Sequence, residues 1–288
     1  MHSFVFKPYL RKLIKEKNKS FFIKAFIYKV RLLDRYRFVS HLQTLKEIED
    51  CILKQIPGGY LRFGDGDIYL LNGNDDSYQE GGTAISKEIE EAFNIKSKTV
   101  YKSIPAHSRL FGYRPAKIEG ALIPDIEAAL YYYRVKKFFK GQRIYSAVAL
   151  QFLFINNREL CLRFLRLIKS NDPIFIGNSE IDKSLVQFLF GGDFIRTPPI
   201  NAYKEIDRIE KETVALLGDS FKFLVIAMGC SGRVLQKRLL LRELNVFIFD
   251  FGSLIDALNN TSSRSWIRNL KDSSPQEFLN GIYGDLKS

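Results

Sequence analysis

Asp65 and Asp67 stand two positions apart beside Gly64 and Gly66 in the stretch LRFGDGDIY, Leu61 to Tyr69, directly after an apolar run. Hard divalent cations take oxygen ligands, and Mg²⁺ or Mn²⁺ is commonly held by one or two carboxylates together with substrate phosphates. In an extended segment alternate side chains point the same way, so both carboxylates would face one site and Gly66 would let a ligand approach the backbone. The competing reading is a turn in which Asp and Gly serve backbone geometry alone.

Four further segments carry chemistry-bearing residues. Gly229-Cys230-Ser231-Gly232 follows an apolar run and opens a helix whose N-terminal amides suit an anion, although the spacing is neither GxGxxG nor a P-loop. Cys230 as a nucleophile would need a basic partner, and the three histidines, His2, His41 and His107, offer none in sequence. His107, in Pro105-Ala106-His107-Ser108-Arg109, has Arg109 and Arg114 near it and is a candidate for facing a diphosphate. Gly177 to Glu180 and Asp250 to Ser253 complete the set. A haloacid-dehalogenase-type phosphatase also places two aspartates two apart after a strand. Here Gly64 intervenes and Tyr69 stands where a small hydroxyl residue is needed.

The elements that must position these loops alternate. Apolar periodicity and turn residues predict strands at Tyr60 to Phe63, Thr99 to Ile104, Arg143 to Leu150, Pro173 to Ile176, Phe194 to Arg196, Phe223 to Met228 and Val246 to Phe249. Helices are predicted at His41 to Leu53, Ser86 to Phe93 (Ser86 as N-cap), Asp125 to Lys140, Phe152 to Ile168, Ser184 to Phe190, Ala202 to Leu217 and Gly232 to Leu244, with a turn-rich loop at Asn72 to Asp76. Strand, loop and helix repeated at this spacing imply an α/β fold, a mostly parallel sheet with helices on both faces. In such sheets ligands collect at the carboxyl ends of the strands, where the loops at Gly64 to Asp67, Gly177 to Glu180, Gly229 to Gly232 and Asp250 to Ser253 fall.

Composition bounds the rest. A chain of 288 residues with 46% hydrophobic content, 24 Phe and 14 Tyr can bury a substantial core. Cys51, Cys161 and Cys230 are odd in number and far apart, which argues against a disulfide framework or structural zinc and for a reducing cytoplasm. No apolar stretch approaches the ~20 residues that span a bilayer, and the start, MHSFVFKPYLRKLIK, lacks a signal-peptide pattern. The net charge of +12 is concentrated at the start: residues 1–38 carry eleven Lys and Arg against Glu16 and Asp34, interleaved with Phe4, Phe6, Tyr9, Phe21, Phe22, Phe26, Ile27 and Tyr28. That pattern suits a helix lying on anionic lipid, and equally a basic solvated face of an ordinary packed helix. Nucleic acid is disfavoured as a partner because no DNA or RNA module accompanies the charge.

Taken together, RFGDGD at Arg62 to Asp67, TPPINAYKEID at Thr197 to Asp207, KFLVIAMGCSGRVLQKRL at Lys222 to Leu239 and FIFDFGSLIDAL at Phe247 to Leu258 resemble, in order and spacing, the successive blocks of the bacterial GT-D-type glycosyltransferases. The resemblance spans roughly residues 60–258. It implies a Rossmann-like GT-D domain, expected over residues 41–275; the basic helical segment at 1–40 and a tail at 276–288 lie outside the resemblance. It implies a nucleotide-sugar donor, with UDP as the expected nucleotide, and Mn²⁺ or Mg²⁺ as cofactor. Asp65 and Asp67 then occupy the DxE metal positions, Asp67 standing one methylene short of the usual glutamate. Asn201, Gly229, Asp250 and Gly252 match further block positions, and Ser253 stands where some relatives carry histidine.

The expected donor-binding set is Arg62, Gly64, Gly66, His107, Asn201, Gly229, Ser231, Gly232 and Gly252, with Asp65, Asp67 and Asp250 as the catalytic carboxylates. Arg62 and Arg233 would supplement the metal as charge develops on the departing phosphate. An inverting reaction would take its base from Asp250, Asp256, Asp193 or Glu80. The acceptor is expected to be a glycan, glycolipid or glycoprotein of a bacterial surface, reached from the inner face of the cell membrane. A phosphotransferase or phosphohydrolase using the same acids, and a non-catalytic nucleic-acid binder using the basic segment, are the alternatives.

Overall fold

The computed structural model describes residues 25–30, 32–114 and 122–260, together with 277, 280, 281 and 284. The basic segment expected at 1–40 therefore lies outside the described residues as far as residue 24, as does nearly all of the tail at 276–288.

Seven strands, β1 (Gly58–Arg62), β2 (Val100–Ile104), β3 (Tyr145–Ser146), β4 (Ile174–Asn178), β5 (Phe194–Thr197), β6 (Lys222–Ala227) and β7 (Val246–Asp250), form one sheet in the order β3-β2-β1-β7-β6-β4-β5. Every pairing is parallel, Tyr60 of β1 lying opposite Tyr101 of β2 and Phe249 of β7. The helices are α1 (His41–Leu53), α2 (Asp65–Leu71), α3 (Thr83–Asn94), α4 (Asp125–Val135), α5 (Ala149–Asn156), α6 (Arg158–Ser170), α7 (Lys183–Leu189), α8 (Ile206–Ala215), α9 (Ser231–Leu241) and α10 (Leu254–Asn259).

Because side chains alternate across a strand, each strand divides its apolar residues between two cores. One face is largely aliphatic: Leu61, Ile174, Ile176, Leu224, Ile226 and Ile248 pack under α2, α3, α4, α8 and α9. The other is largely aromatic: Tyr60, Tyr101, Tyr145, Phe175, Phe223, Phe247 and Phe249 pack under α1, α5, α6, α7 and α10. Rings stack along that face, Tyr60 on Phe249 at 5.2 Å and Phe223 on Phe247 at 6.1 Å between centroids. Each such ring contributes roughly 1.5 to 3 kcal/mol by leaving water. Burial on both faces is why the strands read as apolar runs.

Several boundaries differ from expectation for local reasons. The expected long strand at Arg143 to Leu150 pairs over only two residues, and α5 begins at Ala149. The single helix expected at Phe152 to Ile168 is two, because the Asn157 side chain accepts from Leu160 N at 3.1 Å and caps a new start. Ser86 is not an N-cap: α3 begins at Thr83, and the Ser86 hydroxyl donates to Leu71 O at 2.9 Å. Ala202 to Glu205 is a 3-10 turn ahead of α8.

The fold positions its site by opposed connections. From β1 the chain passes to α2 and α3 on the aliphatic face, whereas from β7 it passes to α10 on the aromatic face. Adjacent β1 and β7 thus part at their carboxyl ends, leaving the crevice where ligands of doubly wound sheets bind. An ion-pair network pins α9 beside that crevice. Arg238 meets Glu88, Asp207 and Glu210, while Lys237 meets Glu88 and Glu91, tying α9 to α3 and α8.

Candidate active site

The acidic motif is helical, and this changes what its two carboxylates can do. Gly64 is the N-cap of α2, and Asp67, three residues on, accepts the Gly64 N–H with Oδ2 at 2.6 Å. Positions two apart on a helix lie about 200° round the axis, so Asp65 and Asp67 diverge instead of facing one site. Asp65 is exposed and Asp67 is 1% exposed. The extended geometry expected of this segment is therefore corrected: the local cap, with Ile68 and Leu70 buried beneath it, makes a turn of helix from GDGD.

Asp67 belongs to a buried charge cluster built from three elements. Its Oδ1 lies 3.7 Å from Nε of Arg233 on α9, close enough for an ion pair and too far for a hydrogen bond. The Arg233 Nη1 donates to Oδ2 of Asp250 at the end of β7, and Arg62 Nη1 approaches Asp250 Oδ1 at 3.5 Å. Asp250 thus bridges two guanidiniums. Arg62 is oriented further by its Nε donating to Ala147 O at 2.5 Å, and Gly252, at φ +59°, lies directly against that guanidinium. Burial pushes the Asp67 carboxyl up to about 6, Asp250 and Asp76 adding to the rise, while Arg233 and the Gly64 N–H pull against it.

Gly66 is where a second strand of the chain comes close. A methyl group there would meet Asp76 and the Cys230 sulfur, each at 2.8 Å. Burial and then the Asp67 charge hold the Cys230 thiol well above its ordinary range, so a thiolate nucleophile is disfavoured. The Tyr131 hydroxyl donates to Gly64 O at 2.6 Å and braces the cap from α4.

Other expected donor-binding residues serve the loop beside the crevice. Asn201, at φ +57°, accepts Glu80 N at 2.7 Å and donates to Glu80 Oε1 at 2.8 Å, and Lys204 pairs with the same carboxylate at 2.8 Å. The Ser231 hydroxyl donates to Gln79 Oε1 at 2.8 Å, which also accepts Tyr203 N at 3.1 Å. Asn201, Ser231 and Glu80 therefore clamp residues 78–81 down. Gly232 packs against Ile226 and Met228, and Gly229 at φ +57° makes the turn with open space around it. Asp193 precedes β5, at the amino ends of the strands and so at the opposite end from the crevice, and is removed from the candidates for a base. Asp256 lies in α10 beyond Gly252.

His107 follows β2 and neighbours His41. Its Nδ1 is buried without a partner, as is Nε2 of His41, whose Nδ1 meets the Ser146 hydroxyl at 2.6 Å. Burial lowers His107 from 6.5 to about 4; burial and then His107 lower His41 from 6.5 to about 3. Both rings fold neutral, so the unfolded chain binds more protons below pH 6.5. Their stability contribution is complete above about 6.5 and is lost as pH falls toward 4 and 3. The melting temperature of the native chain should fall more between pH 7 and 5 than that of a His41→Gln/His107→Gln variant. Parallel curves would contradict this.

Among the described residues no group of three or more His, Cys, Asp and Glu side chains is arranged to hold a metal ion. A two-carboxylate clamp from Asp65 and Asp67 does not fit, because both Asp67 oxygens are turned inward. Asp65, exposed at the mouth, fits the smaller requirement of one carboxylate completed by substrate phosphates. Sequence reasoning missed Gln79, Asp76 and Tyr131, which sit in a turn and a helix with no motif of their own.

The architecture matches that of a fold described as a distinct glycosyltransferase fold. A solved domain of unknown function 1792 (DUF1792) superposes with a TM-score of 0.63 at 14% identity, covering 88% of this chain and 97% of that one. A second, reported as having a distinct glycosyltransferase fold, gives 0.62 at 15% identity over 89% and 92%. A third, described as a new glycosyltransferase (DUF1792) from Streptococcus sanguinis, gives 0.58 at 14% identity over 83% and 96%. No family model matches the sequence, and no curated protein matches it. At these identities the likeness establishes the fold.

Proposed function

We propose that this chain is a glycosyltransferase that moves a sugar from a nucleotide diphosphate donor, UDP being the expected nucleotide, to a glycan-bearing acceptor. The observation that carries the reading is the Arg62–Asp250–Arg233–Asp67 cluster in the crevice between β1 and β7, in a fold shared with proteins described as glycosyltransferases. Departure of a nucleoside diphosphate develops negative charge on its terminal phosphate, and fixed cations in a water-poor crevice stabilise that charge without reorganising. Arg62 and Arg233 supply the cations; Asp250, 2% exposed and shared between them, orients the guanidiniums and is not the base. A divalent cation, Mn²⁺ or Mg²⁺, would be held by Asp65 with the donor phosphates and would add Lewis-acid stabilisation of the same leaving oxygen.

A thermal-shift screen of UDP-, GDP- and CMP-sugars, with and without Mn²⁺, tests the reading, since a ligand bound only by the native state raises apparent stability. A UDP-sugar should raise the melting temperature, and Asp65→Asn should remove the Mn²⁺-dependent part of the rise. Indifference to every nucleotide sugar, or phosphate release from a simple phosphoester with no sugar acceptor, would defeat it.

The basic start of the chain would bring the enzyme to anionic membrane on the cytoplasmic side. No described helix is long and apolar enough to cross a membrane. Tyr28, Leu32, Leu33 and Tyr36 are 56 to 83% exposed beside Lys29 and Arg35, which supports a surface that lies on lipid. Deleting residues 1–38 should abolish sedimentation with anionic vesicles and spare nucleotide binding; equal sedimentation of both forms would refute membrane docking.

A further inference from the structure

The turn that ends β3 is gripped from two sides. On one side α1 holds Ser146: its N–H donates to Thr44 Oγ1 at 3.2 Å, and its hydroxyl meets His41 Nδ1 at 2.6 Å while accepting Val148 N at 3.3 Å. On the other side β1 takes the carbonyls, the Tyr60 hydroxyl donating to Ser146 O and Arg62 Nε donating to Ala147 O, both at 2.5 Å. Tyr60 and Arg62 stand two apart on β1, so their side chains leave one face of the strand and hook consecutive carbonyls of one turn. We infer that Tyr60, Ser146 and His41 are positioning residues, which aim the Arg62 guanidinium at the donor diphosphate through the turn at residues 146–148. This rests on the glycosyltransferase reading above and extends it to a segment that carries no motif.

The turn, more than Asp250, sets the direction of Arg62. Asp250 Oδ1 stands 3.5 Å from Arg62 Nη1, and the other Asp250 oxygen is held closely by Arg233. The bond to Ala147 O is shorter and is made at the root of the planar fork, so it fixes the plane in which both terminal nitrogens lie. Nη2 donates to none of the described residues, which leaves it for a ligand.

The supports of the turn are themselves immobile. Tyr60 is buried and stacks on Phe249, and the His41 ring packs against Phe152 at 4.0 Å and Tyr113 at 4.6 Å. Tyr113 is tied in turn to Val39 O by its hydroxyl at 2.8 Å. Side chains packed this closely keep one rotamer, so the path from His41 through Ser146 and Ala147 to Arg62 has little slack. His41 folds neutral, and it serves the turn as a hydrogen-bond partner and not as a proton carrier.

Titration of the full chain with UDP and with uridine tests this without an acceptor, because UDP carries the charge that the leaving group develops. Tyr60→Phe deletes one hydroxyl, and Ser146→Ala deletes the contact with His41. Each should weaken UDP about tenfold and leave uridine within about twofold, since a ~1 Å misplacement of a positioning group is felt only by what that group touches. His41→Asn, which keeps a hydrogen-bonding group near Ser146 Oγ, should retain more UDP affinity than His41→Leu. In an Arg62→Gln chain neither Tyr60→Phe nor Ser146→Ala should weaken UDP further, because substitutions that act through one group are not additive. The same further weakening in that background, or a loss shared by uridine, would overturn the assignment and leave the turn merely structural. Ser146→Ala is a small change and keeps the test valid if Tyr60→Phe fails to fold. A native chain that binds no UDP removes the donor reading itself, whereas native binding with additive losses removes the positioning role alone.

Discussion

Arg233→Met is expected to cost about 3 to 5 kcal/mol of stability in urea unfolding and to lower the proposed glycosyl transfer by roughly 10² to 10³-fold in whatever protein survives. Arg233 is 8% exposed and is the cation shared by Asp67 and Asp250, which are 1% and 2% exposed. Removing it leaves two buried carboxylates that must take up protons or draw in water. Arg233→Lys should recover little, because a single ammonium cannot span two carboxylates with the planar fork of a guanidinium. Adding Asp67→Asn to Arg233→Met should restore part of the stability by deleting one orphaned charge, and it should not restore transfer. Unchanged urea midpoints in Arg233→Met would show that the cluster is not a coupled unit.

Gly252→Ala should be nearly as damaging through geometry alone. The residue sits at φ +59°, where a Cβ is strained by ~1 to 2 kcal/mol, and that Cβ would overlap the Arg62 guanidinium. Arg62 must then leave both Ala147 O and Asp250. A displacement of ~1 Å in a group that positions substrate can cost about 10²-fold in rate. Gly229→Ala is the control: it shares the positive φ, at +57°, but nothing lies within 4 Å of its added methyl. It should lose similar backbone stability and keep most of its activity. If the two variants lose transfer equally, the contact with Arg62 is not what Gly252 provides.

The sheet was legible because its strands are buried on both faces and read as apolar runs closed by Gly, Pro and Asn. Edge pairing was less so. β3 is short because only Tyr145 and Ser146 pair with β2, which no propensity in Arg143 to Leu150 announces. α2 was missed for a physical reason: two glycines in four residues oppose helix formation, and what overrides them is a side-chain cap and buried neighbours that a local reading cannot weigh. At the site, the loops at strand ends were legible from glycine spacing. The pairing of Asp67 and Asp250 through Arg233 joins three segments distant in sequence, and it turns a supposed metal ligand into a partner of arginine. Asn201 and Ser231 were identified as residues of consequence, but their hydrogen bonds go to the 78–81 loop. Asp193 stands at the amino end of β5, and acidity in a loop does not reveal at which end of the strands the loop lies.

The division of the sheet into an aliphatic and an aromatic face has an optical consequence. Stacked Tyr60, Phe249, Phe223 and Phe247 are chromophores locked in a chiral array along the strands, while Phe63, Phe93 and Phe138 stack on the opposite face between strand and helix. The aliphatic side contributes far less absorption of its own from the strands. Near-ultraviolet dichroism therefore reports on ring packing in both layers, whereas amide exchange in β1 and β7 reports on the sheet between them. The two signals, followed together during refolding, would time the locking of the side-chain layers against assembly of the scaffold without a label being added.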